Sequence, residues 1–404
     1  MANKKEQIPL YGTVIRKKIR YYRTRITDAD GRQVSLYATT CEELYQKEKD
    51  ARRQIEDIIF RRQNPTVSEY CDKWLTMHSA KISASTLRGY KSRINNYIIK
   101  PLGDMYMSEV TTDDIRLALL VASKKSSGLY NTVNMLFKNI FNSAERSQIL
   151  EYDPSENISA KGGKQTKKKD ALTDEQVRVL LETVKGLPPY VFIMIGIYSG
   201  LRREEILALQ WDCVYLDVST PYISVKRAWR ANNNKPEIST VLKTKAARRD
   251  IPIPKCLVNC LHDVKSRSIS KFVVADSKGL PLTYSQFQRV WRYVEVRSTK
   301  ERVYYKYING QGIKYTVKSK LGESIKNRPG SVCNIDFEVT PHLLRHTYIT
   351  NLINANVDPK TVQYLAGHEN SKTTMDIYAK VKYNKPEELS KLVNAAFKSS
   401  VTRI

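Results

Sequence analysis

From Leu10 to about Thr39, apolar and polar positions alternate, with tyrosines and valines set among basic residues. The run Asp28-Ala29-Asp30-Gly31 supplies the turn chemistry of a hairpin. This pattern predicts short β-strands, with residues 16–25 read as one of them. Thr40 and Glu43 then make a capping box, and helical spacing without Gly or Pro continues to about Arg62. Residues 1–63 are therefore expected to form a small three-stranded sheet plus a helix. Asn64-Pro65 interrupts the chain, and Thr66 with Glu69 opens a new helical stretch. Segments with helical spacing follow near 67–80, 85–99, 111–122 and 127–148 without an alternating run between them, so 64–155 reads as a helical bundle.

Residues 156–170 hold Gly162, Gly163 and a lysine-rich run over 164–169, too little apolar content to pack, and read as a basic linker. Thr173 and Gln176 cap the next helix, and 171–404 reads as a larger, mainly α domain with a small β-sheet. Its helices are expected near 174–185, 189–199 and 203–210, its strands near 223–229 and 249–253, and helices dominate the remainder. Two alternating runs flank Asn309-Gly310, so about 303–317 reads as an inserted β-hairpin. Pro386 and Glu387 open a tail helix to about 398, with Leu389, Leu392, Val393, Ala396 and Phe397 at helical spacing. The fold class is multidomain α+β.

Charge narrows the partner. Against 41 Asp and Glu stand 68 Lys and Arg, a formal net charge of +27, which makes a polyanion the default partner. With 404 residues, 41% of them hydrophobic, the chain can build two or three cores. It has no apolar run approaching the roughly 18 residues of a membrane span, and its first ten residues lack the apolar stretch of a secretory signal. A soluble, cytoplasmic protein without membrane contact is expected. Cys41, Cys71, Cys213, Cys256, Cys260 and Cys333 form no CxxC, and no histidine completes a zinc site. Reduced thiols and no metal are expected, and Cys256 and Cys260, one turn apart, read as small core residues. Arg16, Lys17, Lys18, Arg20, Arg23 and Arg25 interleave with tyrosines, which suits a sheet face laid on phosphates; a solvated basic edge strand would look the same. Lys167, Lys168 and Lys169 would lie along the same polyanion from the linker.

The candidate chemistry is concentrated near the C-terminus. The chain has five histidines, and His342, His346 and His368 fall in one short stretch. Thr340-Pro341 is an N-cap and first-turn pair, which places His342, Arg345 and His346 on one helix face. Asp358-Pro359 starts the next helix and Gly367 ends it, leaving His368 in the following loop, ten residues before Tyr378. Upstream, Gly200 ends an apolar helix and Arg202 opens another. An arginine there opposes the helix dipole and wants a carboxylate or a phosphate, and Glu205, one turn on, is placed to hold it. The stretch from Lys243 to Pro252 reads as a basic hairpin tip running into a buried strand. Taken singly, each of these features also occurs in ordinary structural settings.

Taken in order, Gly-Leu-Arg202-x-x-Glu205, the Lys243 hairpin before an Ile-Pro strand, His342-x-x-Arg345-His-Thr, Leu-x-Gly-His368 and Tyr378 resemble the tyrosine recombinases, specifically the integrases of temperate phages and conjugative transposons. The resemblance covers nearly all the chain. It implies an arm-type DNA-binding domain (1–63), a core-binding domain (64–155) and a catalytic domain (171–404). Two departures are visible: Tyr198-Ser199 stands where a threonine is more usual, and the Asn309-Gly310 hairpin lengthens the lysine-to-histidine interval. The resemblance implies that Arg202 and Arg345 grip the scissile phosphate, supported by Glu205, and that Tyr378 forms a 3′-phosphotyrosyl link. It assigns His342 and His368 to hydrogen bonding and proton transfer, and Lys243 to protonation of the departing 5′ oxygen, with Lys245 its nearest competitor. Double-stranded DNA with core-type and arm-type sites, a homotetramer, a Holliday junction, and an excisionase or host DNA-bending protein as accessory are implied, with no cofactor. The tail helix is implied to dock on a neighbouring protomer. Two other readings stay open at this point: a type IB topoisomerase-like relaxing enzyme, and a catalytically inactive architectural or regulatory DNA-binding protein.

Overall fold

The computed structural model describes residues 8–16, 18–159, 161–165, 170–232, 234–242, 244–308, 311–325, 331–383 and 390. The chain divides into two compact units, Met1–Lys168 and Lys169–Ile404.

The first unit opens with an antiparallel sheet in the order β1 (Gly12–Arg16), β2 (Ile19–Thr27), β3 (Gln33–Ala38). Helix α1 (Cys41–Gln63) follows, capped by the Thr40 side chain, which accepts from the Glu43 N–H at 3.1 Å. Residues 16–25 are not the single strand expected. Lys18 takes a left-handed φ of 64°, and Arg16 pairs with Ile19 across the turn. Alternation alone does not reveal this turn, because it is made without the Asn or Gly that normally marks one. The second turn, at Asp28–Gly31, is where the sequence places it, with Gly31 at φ 82° and its N–H on the Asp28 carbonyl. Ile26, Ala38 and Leu44 form the small core of this part.

The bundle consists of α2 (Val67–Ser79), α3 (Ala84–Ile94), α4 (Lys100–Leu102), α5 (Thr112–Ser123) and α6 (Ser127–Arg146). Thr66, Ser83, Thr111 and Ser126 each cap a helix, and Tyr70, Trp74, Phe137 and Phe141 fill the core. The segment expected as one helix over 85–99 switches to a π-helical turn at Asn95–Ile99, where the Lys100 N–H reaches back to the Asn95 carbonyl. Pro101 accounts for the widening, since its ring cannot sit against an ordinary preceding turn. The expected linker is also shorter than its composition suggests. Ile158 is buried in the bundle core, the Ser159 carbonyl accepts from Tyr130 and Asn134, and Lys164 bridges the Ser123 carbonyl and the Ser127 N–H. Backbone hydrogen bonds thus hold a polar segment whose composition alone would leave it loose. Residues 166–169, with Lys167, Lys168 and Lys169, lie outside the described residues.

The second unit is built around α8 (Tyr190–Ser199), apolar on all sides and buried. Around it lie α7 (Asp174–Val184), α9 (Arg203–Leu207), α10 (Lys255–Arg267), α11 (Tyr284–Glu295), α12 (Pro341–Asn354), α13 (Pro359–Ala366) and α14 (Ser371–Tyr383). A three-stranded sheet runs β4 (Val214–Tyr215), β5 (Tyr222–Val225), β8 (Arg249–Pro252), and β6 (Ala228–Asn232) pairs with β7 (Lys235–Ser239). The strand expected over 223–229 is therefore split between two sheets, and the helix expected to 210 stops at Leu207. The inserted hairpin forms from β9 (Arg302–Ile308) and β10 (Gln311–Val317), in register from Ile308–Gln311 outward. Gly196 lets α12 approach α8 closely: a Cβ there would sit 2.9 Å from Leu344 Cδ1. Cys256 is exposed and Cys260 half-buried, so the two are not the core pair expected. Residues 386–398 lie outside the described residues except Ser390. No helix among the described residues is long and apolar enough to cross a membrane.

Candidate functional site

Arg202 and His368 sit at the ends of elements, where local sequence fixes the backbone. Gly200 closes α8 in the left-handed region at φ 62°, and a side chain there would collide with Tyr348, 2.2 Å from an added Cβ. The chain turns at once into α9, with Arg202 as its N-cap residue. Glu205 accepts from the Arg202 backbone N–H at 2.8 Å and from its guanidinium at 2.8 Å. The carboxylate one turn on thus offsets a cation at the positive end of the helix. Gly367 closes α13 in the same left-handed fashion, at φ 61°, and leads into His368.

Arg345 lies inside α12, 3% exposed, and donates through Nη1 to the Gly200 carbonyl at 2.7 Å and through Nη2 to the Ala366 carbonyl. Arg202 Nη2 donates to the Gly367 carbonyl at 2.6 Å. Two guanidiniums therefore stitch the Gly200 turn, the Gly367 turn and α12 together, bringing Arg202, Arg345 and His368 into one cluster. Burial, followed by the nearby Arg202 charge, pulls Arg345 down to about 9.

The sequence gives no separate role to Arg249, yet this residue completes the cluster. Its side chain is fully buried and makes a fork to Glu205, Nη1 to Oε1 at 3.1 Å and Nη2 to Oε2 at 2.8 Å. Burial alone would raise Glu205, but Arg249 and then Arg202 overcome it and hold the carboxyl down at about 2. Three guanidiniums thus gather round one carboxylate, leaving an excess of positive charge, and only Arg202, with 35% of its side chain exposed, reaches the surface. The signal for Arg249 was its place in β8: strand alternation puts it on the same inward face as Ile251.

His368 is half-buried, with Nδ1 2.9 Å from the hydroxyl of the buried Thr374. Burial and then the charges of Arg345, Arg202 and Arg249 push it down to about 4. His342 is exposed on α12. His346, half-buried one turn on, is lowered by burial and by Lys380. Tyr378 lies on α14, partly buried against the core, on a helix that packs against α12 and α13. Two residues on, Lys380 pairs with Asp170 at 2.6 Å. Lys243 lies outside the described residues; the 3-10 turn Lys245–Ala247 after it leads directly into β8.

In the first unit the six expected cations do not share a face. Arg16 pairs with Ile19, which places Arg16, Arg23 and Arg25 on one face of the sheet and Arg20 on the face of the buried Ile26. Arg16 stacks on Tyr37, 4.0 Å from its ring centre, and donates to the Tyr37 hydroxyl. Lys18 stands exposed in the turn, and Lys17 lies outside the described residues.

The pattern described as the phage integrase family matches residues 170–385, and that of the phage integrase N-terminal SAM-like domain matches residues 66–118. The chain is 25% identical over 387 residues to a tyrosine recombinase XerC-like protein of Caldanaerobacter subterraneus subsp. tengcongensis, covering 89% of this chain and 92% of the relative. The Tn1549 transposon integrase in complex with a circular intermediate DNA is similar in fold, with a TM-score of 0.61 and 20% identity, covering 80% of this chain and 99% of that one. A lambda integrase tetramer bound to a Holliday junction has a TM-score of 0.53 at 15% identity, over 89% and 96% of the two chains.

Proposed function

Because this chain belongs to the phage integrase family and is a site-specific tyrosine recombinase, we propose that Arg202 and Arg345 hold the scissile phosphate and that Tyr378 attacks it. The observation that carries this reading is the charge imbalance: Arg202 and Arg249 bind the Glu205 carboxylate with the Arg345 charge beside them, and the guanidinium that reaches solvent, Arg202, is kept in place by Glu205 and the Gly367 carbonyl. A phosphodiester supplies the missing anion, and the donors are oriented before it arrives.

In the proposed reaction the Tyr378 oxygen bonds to phosphorus, the bond from phosphorus to the 5′ oxygen breaks, and a 3′-phosphotyrosine keeps the energy of the lost ester. Arg202 and Arg345 stabilise the charge that grows on the phosphoryl oxygens. When the Thr374 hydroxyl donates to Nδ1, a neutral His368 carries its proton on Nε2, the form that donates to a phosphoryl oxygen. His342 stands on the Arg345 helix for hydrogen bonding and proton transfer. Lys243 protonates the 5′ oxygen. A 5′ hydroxyl from a second duplex then reverses the step, and two rounds make and resolve a Holliday junction.

The reading extends to a mobile element integrated and excised in the bacterial cytoplasm, by a homotetramer on double-stranded DNA. The sheet face of Arg16, Arg23 and Arg25, together with Lys17, Lys18, Arg20 and the Lys167–Lys169 run, serves DNA contacts, the sheet on arm-type sites and the bundle on core-type sites. An excisionase or host DNA-bending protein sets direction. The test is a supercoiled plasmid carrying two element-end sites in direct repeat. Excised circles support the reading, whereas relaxed plasmid without recombinants favours a topoisomerase-like activity.

A further inference from the structure

We propose that Arg249 is a positioning residue for strand cleavage: by holding Glu205, the Leu365 carbonyl and the Ala247 carbonyl at once, it locks three turns of the site into a single arrangement. This rests on the reading of Arg202, His368 and Lys243 as parts of one phosphate site.

The geometry is specific to a guanidinium. Nε donates to the Leu365 carbonyl at 2.8 Å, near the end of α13 and three residues before His368. Nη1 donates to the Ala247 carbonyl at 2.8 Å, at the end of the 3-10 turn that follows Lys243. Both Nη atoms reach Glu205, which holds Arg202. The guanidinium also lies against Gly367, where an added Cβ would sit 2.9 Å from Nη1. No part of the Arg249 side chain is exposed, so it does not touch the phosphate itself. Its effect passes through the groups it holds.

Stability alone is a poor explanation for this arrangement. A buried ion pair is replaced by apolar residues at little or no cost in many proteins, because desolvation cancels most of the attraction. A lysine would keep the charge but lose the planar fork, and one ammonium on a flexible stem does not reproduce three fixed contacts. The requirement to align Arg202 with the His368 turn and the Lys245–Ala247 turn calls for all of them together.

The experiment measures single-turnover cleavage of a nicked suicide substrate by wild type, Arg249→Met and Arg249→Lys, with DNA affinity and the far-ultraviolet circular dichroism spectrum alongside. Misplacement of reacting groups predicts a fall of about 10²-fold in the cleavage rate constant of Arg249→Met, with DNA affinity within about twofold of wild type. Arg249→Lys should recover part of the rate. Glu205, faced by Arg202, Arg249 and Arg345, binds a proton more readily once Arg249 is gone, so the Arg249→Met rate should also acquire an acid limb. A purely structural residue would lower the fraction of active protein without moving the rate constant or the pH profile, and that result overturns the inference. Loss of fold in both variants overturns it too. Absence of cleavage by wild type would instead strike the phosphate-site reading on which the inference rests.

Discussion

Replacing Glu205 with glutamine removes one charge from the centre of the site while keeping its shape. The carboxylate is 4% exposed and receives two donors from Arg202 and two from Arg249. Its carboxyl is held down from 4.5 to about 2. At about 1.4 kcal/mol for each tenfold change in proton affinity, the ionised group contributes about 3 kcal/mol to the folded state, within the range for breaking a buried pair. A loss of that size lowers the Tm of a unit this large by roughly 6–12 °C at pH 7. Because the folded-state value lies below the unfolded one, the contribution is complete above about pH 4.5 and is lost as pH falls toward about 2. The stability gap between wild type and Glu205→Gln should therefore shrink by about 1–1.5 kcal/mol between pH 7 and about pH 3.5. Urea unfolding at a series of pH values measures the gap, and other carboxylates cancel because both proteins carry them. A gap that stays constant with pH, or the absence of one, refutes the view of Glu205 as an ionised hub.

Arg345→Lys should lower cleavage by about 10²–10³-fold while leaving DNA binding largely intact, because one ammonium cannot bridge the Gly200 and Ala366 carbonyls and still present a fork to phosphate. Rates on the suicide substrate check this, and wild-type cleavage would contradict it. His368, held at about 4 by burial and neighbouring arginines, should stay neutral throughout the physiological range. Its imidazole resonance in DNA-free protein should titrate below about pH 5, whereas a midpoint near its ordinary value of about 6.5 would contradict the described surroundings. The unfolded chain takes up this proton first, so the His368 contribution to stability weakens as pH drops from 6.5 toward about 4.

What the sequence revealed was what local chemistry decides. Thr340-Pro341 starts α12 and Asp358-Pro359 starts α13 because capping depends on adjacent residues, and Gly200 and Gly367 end helices because both adopt a left-handed backbone. Arg202, Arg345, His368 and Tyr378 were singled out by the ordered set of motifs that resembles the tyrosine recombinases, not by local chemistry. Arg249 was not, since its burial depends on Glu205, 44 positions earlier, and on Leu365, 116 later. Residues 156–165 read as free linker because the backbone bonds of Ser159 and Lys164 leave no compositional trace. The turn at Lys18 escaped because a lysine does not announce a left-handed φ.

Tyr378 is proposed to cleave DNA by becoming covalently attached to it. The direct measurement incubates wild type and Tyr378→Phe with a nicked suicide substrate built from the ends of the element that carries this gene, and looks for a protein–DNA adduct that survives SDS. An adduct is expected with wild type and none with Tyr378→Phe, although both bind the DNA. An equal adduct with Tyr378→Phe, or none with wild type despite tight binding, would contradict it.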